Sequence, residues 1–303
     1  MDEADTLSSA LLEALPYINY FAGKTLVIKV GGSTLGSGDT TLQDIVWLKS
    51  LGIEPVIVHG GGADINLWLK RLGVEPRFVQ GLRVTDEPTM EVVRMVLVGK
   101  VNTELISAIN ALGGRALGIS GLDGGLIQAE IEDPQLGLVG RITAINLELL
   151  NTIVGAGYIV VIAPIGTGPA GQPLNLNADT VAGEIARTLR AEKLIVLSDV
   201  AGILDSNGQL LSHISAAQAQ ELIQSQAVSG GMIPKVRACL QALEGVKRTH
   251  IIDGRVPHAL IRELFTDRGV GTMITQVVPN GLAPSKNIEY LLDSMKDKRG
   301  GAK

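Results

Sequence analysis

Residues 25–72 read TLVIKVGGSTLGSGDTTLQDIVWLKSLGIEPVIVHGGGADINLWLKRL, and this stretch decides the fold. Two short β-branched runs, 25–30 and 54–59, each end in glycines, and each is followed by an amphipathic stretch, 42–51 and 64–72. A strand-then-helix unit repeated in this way predicts a mostly parallel sheet with helices on both faces. Further strand patterns fall at 116–120, 126–131, 158–163, 194–198, 250–252 and 271–275. Helical spacing fits 87–112, 146–156, 178–189, 216–226 and 235–243. The expected class is therefore α/β, and 303 residues favour two domains or lobes.

Composition narrows the function. The 37 glycines lie in short clusters without a G-X-Y period, which excludes collagen and predicts tight backbone turns. A formal charge of −5 without a Lys/Arg run makes nucleic acid an unexpected partner. Cys239 is the sole cysteine and sits in an apolar helical pattern, so an inert buried thiol is expected. With four scattered histidines beside it, no protein-held metal site is expected. Residues 1–6 are acidic rather than basic-then-apolar, and the longest apolar run, 158–165, is too short to span a bilayer. A cytoplasmic protein without membrane contact is the expectation.

At the start of the chain, Leu7, Leu11, Ala14, Leu15 and Ile18 form an apolar stripe at helical spacing, with Pro16 expected to kink it. Such a helix packs either on its own core or on a partner. Residues 122–141, carrying glycines and Pro134, read as a hairpin leaving the sheet and as a candidate lid. The charged end, 293–303, reads as a helix that frays into a tail.

Two apparent nucleotide motifs fail on context. Gly166 to Gly171 matches G-x-G-x-x-G, but Pro169 and Pro173 leave no helix for a dinucleotide site. Lys24-Thr25 ends a Walker-like run, yet Ile18 replaces its first glycine and Thr25 opens a strand. The stronger signal is Lys29-Val30-Gly31-Gly32-Ser33, where glycines let backbone N–H groups approach an anion beside a lysine. His59-Gly60-Gly61-Gly62 repeats the device at a helix N-terminus, so two anion-binding turns share one sheet edge. Arg83 in Gly81-Leu82-Arg83 offers a fork for a carboxylate. Asn175 to Asp179 sets polar side chains at a helix start, where Asn177 or Asp179 can cap. Ser229 to Lys235 is a glycine loop leading into a helix, and Lys235 opposes that helix's dipole unless an anion lies near.

Taken in order, KVGGS, VHGGG, GLRVTD, NLNADT, LSDVAGIL and GGMIPKV resemble the acetylglutamate kinases of the amino acid kinase family from about Leu11 to Ile274. The resemblance implies a three-layer α/β/α sandwich with a mostly parallel central sheet. It further implies an N-terminal kinked helix (1–24), an acceptor lobe (25–190), an ATP-binding lobe (191–280) and a tail (281–303). The implied reaction is ATP-dependent phosphorylation of the γ-carboxylate of N-acetyl-L-glutamate in arginine biosynthesis, with Mg²⁺ held mainly by the nucleotide. By the same resemblance Lys29 and Lys235 flank the transferring phosphoryl group, and Asp179 organises them. Gly31, Gly32, Gly61 and Gly62 supply backbone donors, Arg83 and Asn175 grip the acceptor's α-carboxylate, and Asp199 lies near the nucleotide. A γ-carboxylic acid is already ionised at pH 7, so the chemistry demands cations rather than a general base.

Glu13 to Ile18 and the region His250 to Thr272 resemble the arginine-inhibited, hexameric branch of the family. This implies a homohexamer inhibited by L-arginine, with Glu263, Gly269 and Tyr17 at the effector site. The ordinary alternative for Glu263 is a solvated helix carboxylate. A PII-type signalling protein is a further partner implied for some relatives. Leu122 and Leu174 depart from residues frequent in the family, a lysine and an aromatic. Rival readings are a kinase of an aminoadipate derivative and a non-catalytic arginine sensor, while uridylate, carbamate and aspartate kinases lack the GLRVTD and NLNADT pairing.

Overall fold

A computed structural model describes residues 3–31, 39–79, 81–266 and 269–278, with side chains from residue 11 onward. Gly32, the side chain of Leu7 and the expected tail lie outside these residues.

The chain opens with helix α1 (Glu3–Phe21), then β1 (Thr25–Val30), α2 (Thr41–Ser50), β2 (Glu54–His59) and α3 (Gly62–Arg71). A small hairpin, β3 (Phe78–Val79) and β4 (Leu82–Arg83), precedes α4 (Glu87–Arg94), a π-helical segment (Met95–Asn102) and α5 (Thr103–Ala111). Then come β5 (Ala116–Ser120), β6 (Ile127–Ile131), β7 (Gly140–Ile145), α6 (Leu147–Gly155), β8 (Ile159–Ala163), β9 (Ile165–Thr167) and β10 (Pro173–Asn175). The remainder is α7 (Ala178–Leu189), β11 (Lys193–Ser198), β12 (His213–Ser215), α8 (Ala216–Gln224), α9 (Met232–Ala242), β13 (Thr249–Asp253), α10 (Ala259–Phe265) and β14 (Gly271–Thr275).

Among the described residues, eight strands form the central sheet in the order β12-β14-β13-β11-β1-β2-β8-β5. Every neighbouring pair is parallel except β13 with β14. The period-2 pattern of β1 and β2 explains the two packed faces. Leu26, Ile28, Val30 and Ile57 join a core built with α1 to α5, the π segment and α10. Val27, Val56 and Val58 face the core built with α6 to α9. This is the expected three-layer α/β/α sandwich.

From β1 the chain moves to β2 on one side and later returns to β11 on the other. Such a reversal leaves a crevice at the strands' carboxyl ends, where ligands bind in open α/β sheets. A second sheet, ordered β10-β9-β6-β7, continues from the carboxyl ends of β5 and β8 beside this crevice. The hairpin expected over 122–141 is its β6–β7 pair. Gly166 to Gly171 forms part of β9 and a short 3₁₀ turn, with no helix for a dinucleotide.

The π segment interrupts the single helix expected over 87–112. Helix α1 runs through Pro16, and its stripe divides: Leu11 and Leu15 stand exposed, with Leu12 beside them, whereas Ala14 and Ile18 pack partly buried on the core that Tyr17, Tyr20 and Phe21 join. No helix among the described residues is long and apolar enough to cross a membrane.

Candidate active site at the strand ends

Alternation along β1 places Lys29 on the side facing α7, one residue before the strand ends. Asp179 is the second residue of α7, a helix whose first turn is fixed by Asn177: its side chain accepts from the N–H groups of Asp179 (2.9 Å) and Thr180 (3.0 Å). Lys235 lies in the first turn of α9, which packs against α7. The three side chains meet. Lys29 Nζ stands 3.0 Å from Asp179 Oδ1 in an electrostatic contact, and Lys235 Nζ donates to Asp179 Oδ2 at 3.2 Å.

Burial opposes the charge on both Lys29 and Asp179, being 7% and 6% exposed. For Lys29 burial wins, and its pKa lies below the ordinary lysine value despite the attraction of Asp179. For Asp179 the two ammonium groups win over burial and hold the carboxyl below its ordinary value. Two lysines against one carboxylate leave an excess of cation suited to an anionic ligand.

Beside this triad lies a cavity of about 200 Å³ lined by Lys29, Gly61, Gly62, Arg83, Asn175 and Asp179, among others. Arg83, at the end of β4, is buried under the ring of Phe78, with its guanidinium 4.8 Å from the ring centroid. Its Nη2 donates to Gly62 O at 3.2 Å, while Nη1 is buried without a partner. A buried guanidinium nitrogen without an acceptor is costly, and an anion in the cavity would satisfy it. Asn175 ends β10 and donates from Nδ2 to Thr85 Oγ1 at 3.0 Å. The cavity thus has a cationic floor on one side and a carboxylate-sized fork on the other. Leu174 is fully buried and Leu122 half-buried on the core, so neither lines the cavity.

The residues expected near the nucleotide lie along the same edge. Gly31 follows β1, and Asp199 sits exposed on the turn after β11, where Ser198 Oγ donates to it over 3.4 Å. No group of three or more His, Cys, Asp or Glu among the described residues is arranged to hold a metal ion.

The amino acid kinase family matches residues 24–253. The chain belongs to the amino acid kinase family. It is 52% identical over 273 residues to the acetylglutamate kinase of Caldanaerobacter subterraneus subsp. tengcongensis, covering 87% of this chain and 91% of that one. It is 51% identical over 277 residues to the acetylglutamate kinase of Nostoc sp., covering 89% and 93%. Among solved structures, N-acetylglutamate synthase from Neisseria gonorrhoeae, complexed with coenzyme A and N-acetyl-glutamate, superposes with a TM-score of 0.81 at 27% identity, over 97% of this chain and 70% of that one. Carbamate kinase from Giardia lamblia shares the fold at 18% identity, with a TM-score of 0.61 over 84% and 99%. The relatives' names make this amino acid kinase an enzyme of the kinase class.

The region expected to bind an effector is a second polar cluster of the kinase, under α1 and α10. Glu263 is 4% exposed, so it is not a solvated helix carboxylate. Its Oε1 lies 2.6 Å from His250 Nδ1, and its Oε2 accepts from Val270 N at 2.7 Å. Gly269 adopts φ 48°, and a Cβ there would come within 2.8 Å of Glu263 Oε2. Tyr17 is buried in α1.

Sequence reasoning missed Lys193, which opens β11 fully buried near Glu263, with burial pushing its pKa down to about 8. The available signal was a lysine directly before the apolar run Leu194 to Leu197. It gave no role to His59, quoted only with its glycines, and missed Asn102; both are buried polar residues within otherwise apolar elements.

Proposed function

We propose that the chain transfers the γ-phosphoryl group of ATP to the γ-carboxylate of N-acetyl-L-glutamate, giving an acyl phosphate in arginine biosynthesis. The observation that carries this reading is Asp179 held between Lys29 and Lys235, with Asp179 and Lys29 lining the cavity that Arg83 also lines. An anionic carboxylate attacking an anionic phosphate needs fixed positive charge and little else. In this reading Lys29 and Lys235 neutralise the transferring phosphoryl oxygens, and Asp179 keeps the two ammonium groups apart and aimed. Arg83 Nη1 and Asn175 receive the acceptor's α-carboxylate, and Gly61 and Gly62 offer backbone N–H groups to its reacting end. Residues 25–190 form the acceptor lobe and 191–280 the nucleotide lobe, with Gly31 and Asp199 on the ATP side. Mg²⁺ enters with the nucleotide.

The same reading assigns feedback inhibition by L-arginine, whose guanidinium would pair with Glu263 beside Gly269 and Tyr17. The exposed leucines of α1 would be covered in a homohexamer.

Hydroxylamine trapping of the acyl phosphate tests the reading, using Mg-ATP with N-acetyl-L-glutamate, with and without L-arginine, and N-acetyl-aminoadipate as control acceptor. Product with acetylglutamate that arginine suppresses is the expected result. Product only with the longer acceptor would reassign the substrate, and none with either would leave a binding protein.

A further inference from the structure

The glycine turn at the cavity, Gly60 to Gly62, packs against the π segment Met95–Asn102, whose Leu97 also lines the cavity. A Cβ on Gly61 would stand 2.5 Å from Leu97 Cδ2 and 3.6 Å from Val101 Cγ2, so the segment packs directly on that glycine. Lys100 Nζ pairs with Asp64 in the first turn of α3 at 2.9 Å. Asn102 Nδ2 donates to Val161 O at 3.0 Å and lies 3.1 Å from His59 Nε2. A π turn widens the helix and re-aims its side chains, a device found often at functional sites. On β5, Gly118 is the complementary vacancy: a Cβ there would collide with Asn102 Oδ1.

The partners of His59 leave one protonation pattern. Asn102 Nδ2 can only donate, so His59 Nε2 accepts. The Gly60 carbonyl can only accept, so Nδ1 carries the proton and donates to it at 2.9 Å. Burial pushes the imidazole's pKa down to about 4, which agrees with a neutral ring. The Gly60 carbonyl is therefore turned toward His59. Because a peptide unit is planar and trans, the N–H of Gly61 points the opposite way.

We propose that His59 and Asn102 are positioning residues: together they fix the orientation of the Gly60–Gly61 peptide and so aim its N–H at the acceptor. This rests on the reading of the cavity as the acceptor site. The residues touch no reacting atom and act through the backbone of the turn.

Two measurements test it on the full chain. Magic-angle-spinning NMR of ¹⁵N-histidine-labelled protein reads the tautomer; the chain has 4 histidines, and loss of one signal in His59→Asn assigns it. A proton on Nδ1 in the parent protein, moved to Nε2 by Asn102→Asp, is expected. In kinetics, asparagine at position 59 sets its amide nitrogen where Nδ1 was, whereas glutamine sets it where Nε2 was. His59→Asn is expected to keep kcat/KM for N-acetyl-L-glutamate within about threefold, while His59→Gln and Asn102→Asp raise that KM about tenfold with the KM for ATP unchanged. A parent His59 protonated at Nε2, equal effects of asparagine and glutamine, or an equal rise in both KM values would overturn the proposal. A parent protein that turns over no acetylglutamate rejects the functional reading alone, and the NMR arm then decides the positioning device.

Discussion

Asp179 meets its two lysines on different oxygens, Lys29 at Oδ1 and Lys235 at Oδ2. One carboxylate thereby sets the spacing between a cation from a strand, β1, and a cation from a helix, α9. The position of Lys235 is inherited from how α9 packs on α7, and the position of Lys29 from the sheet.

Asparagine at position 179 keeps the shape and removes the charge, leaving two ammonium groups to repel one another. Asp179→Asn is expected to lower kcat by about 100-fold or more, with smaller changes in either KM. Steady-state kinetics checks this. An unchanged kcat with weakened substrate binding would assign Asp179 to substrate affinity instead.

Helices α7 and α9 touch at Gly183, where a Cβ would stand 2.7 Å from the backbone oxygen of Ala238. Gly183→Ala should therefore push the helices apart and cost about 1–3 kcal/mol. It should also lower kcat, although Gly183 touches neither substrate, because Lys235 moves with α9. Thermal unfolding and kcat measured on one preparation test both effects. A fall in stability with full activity would show that the contact between Lys235 and Asp179 survives the displacement.

His250 is buried, and burial, with the neighbouring Lys193 charge, pushes its pKa down to about 4 against the pull of Glu263. Unfolded, the same ring titrates near its ordinary 6.5. Below that pH the unfolded chain takes up a proton that the folded chain refuses. Stability present above pH 6.5 is thus lost as the pH falls toward 4, by about 2 kcal/mol from this residue between pH 6.5 and 5. Urea unfolding of the parent and of His250→Asn at both pH values checks the sign, since the variant should lose less. Parallel slopes would move the acid sensitivity to other groups.

Removing residues 1–15 takes away exposed Leu11, Leu12 and Leu15 but spares buried Tyr17, Tyr20 and Phe21. Phe21 packs edge-on against Phe265 and Tyr20 against Phe21, so the truncated chain should stay folded. Analytical ultracentrifugation should show a smaller assembly, and acyl-phosphate trapping should show activity less sensitive to arginine. An intact hexamer with undiminished inhibition would separate the exposed leucines from both properties.

Seven strands of the central sheet were legible because they are apolar runs, and β1, β2 and β14 begin and end where the pattern places them, whereas β12 (His213–Ser215), three residues with polar ends, went unread. So did β9 and β10, since Ile165–Thr167 and Pro173–Asn175 are three-residue strands broken by glycine and proline. The π segment was hidden inside a continuous helical period, for an inserted residue leaves no mark in composition. In the site, Lys29, Asp179 and Lys235 stood beside glycines or at a helix start, where charge signals itself. His59 stood before its glycines and Asn102 within an apolar run, but nothing showed that the two meet, because a buried hydrogen-bonded pair looks in sequence like any two polar residues.

Strands β1 and β2 run side by side with Lys29 opposite Val58 and Val30 opposite His59. The ends of the two strands, and with them Gly31 and Gly60, are therefore held at one strand spacing, about 4.8 Å, by a ladder of main-chain hydrogen bonds. The sheet serves as the ruler of the cleft, and the helices and loops around it only dress its marks. Changes in the outer layers can alter size or partners without altering that distance, whereas a slip of one residue between these two strands would turn Lys29 to the opposite face.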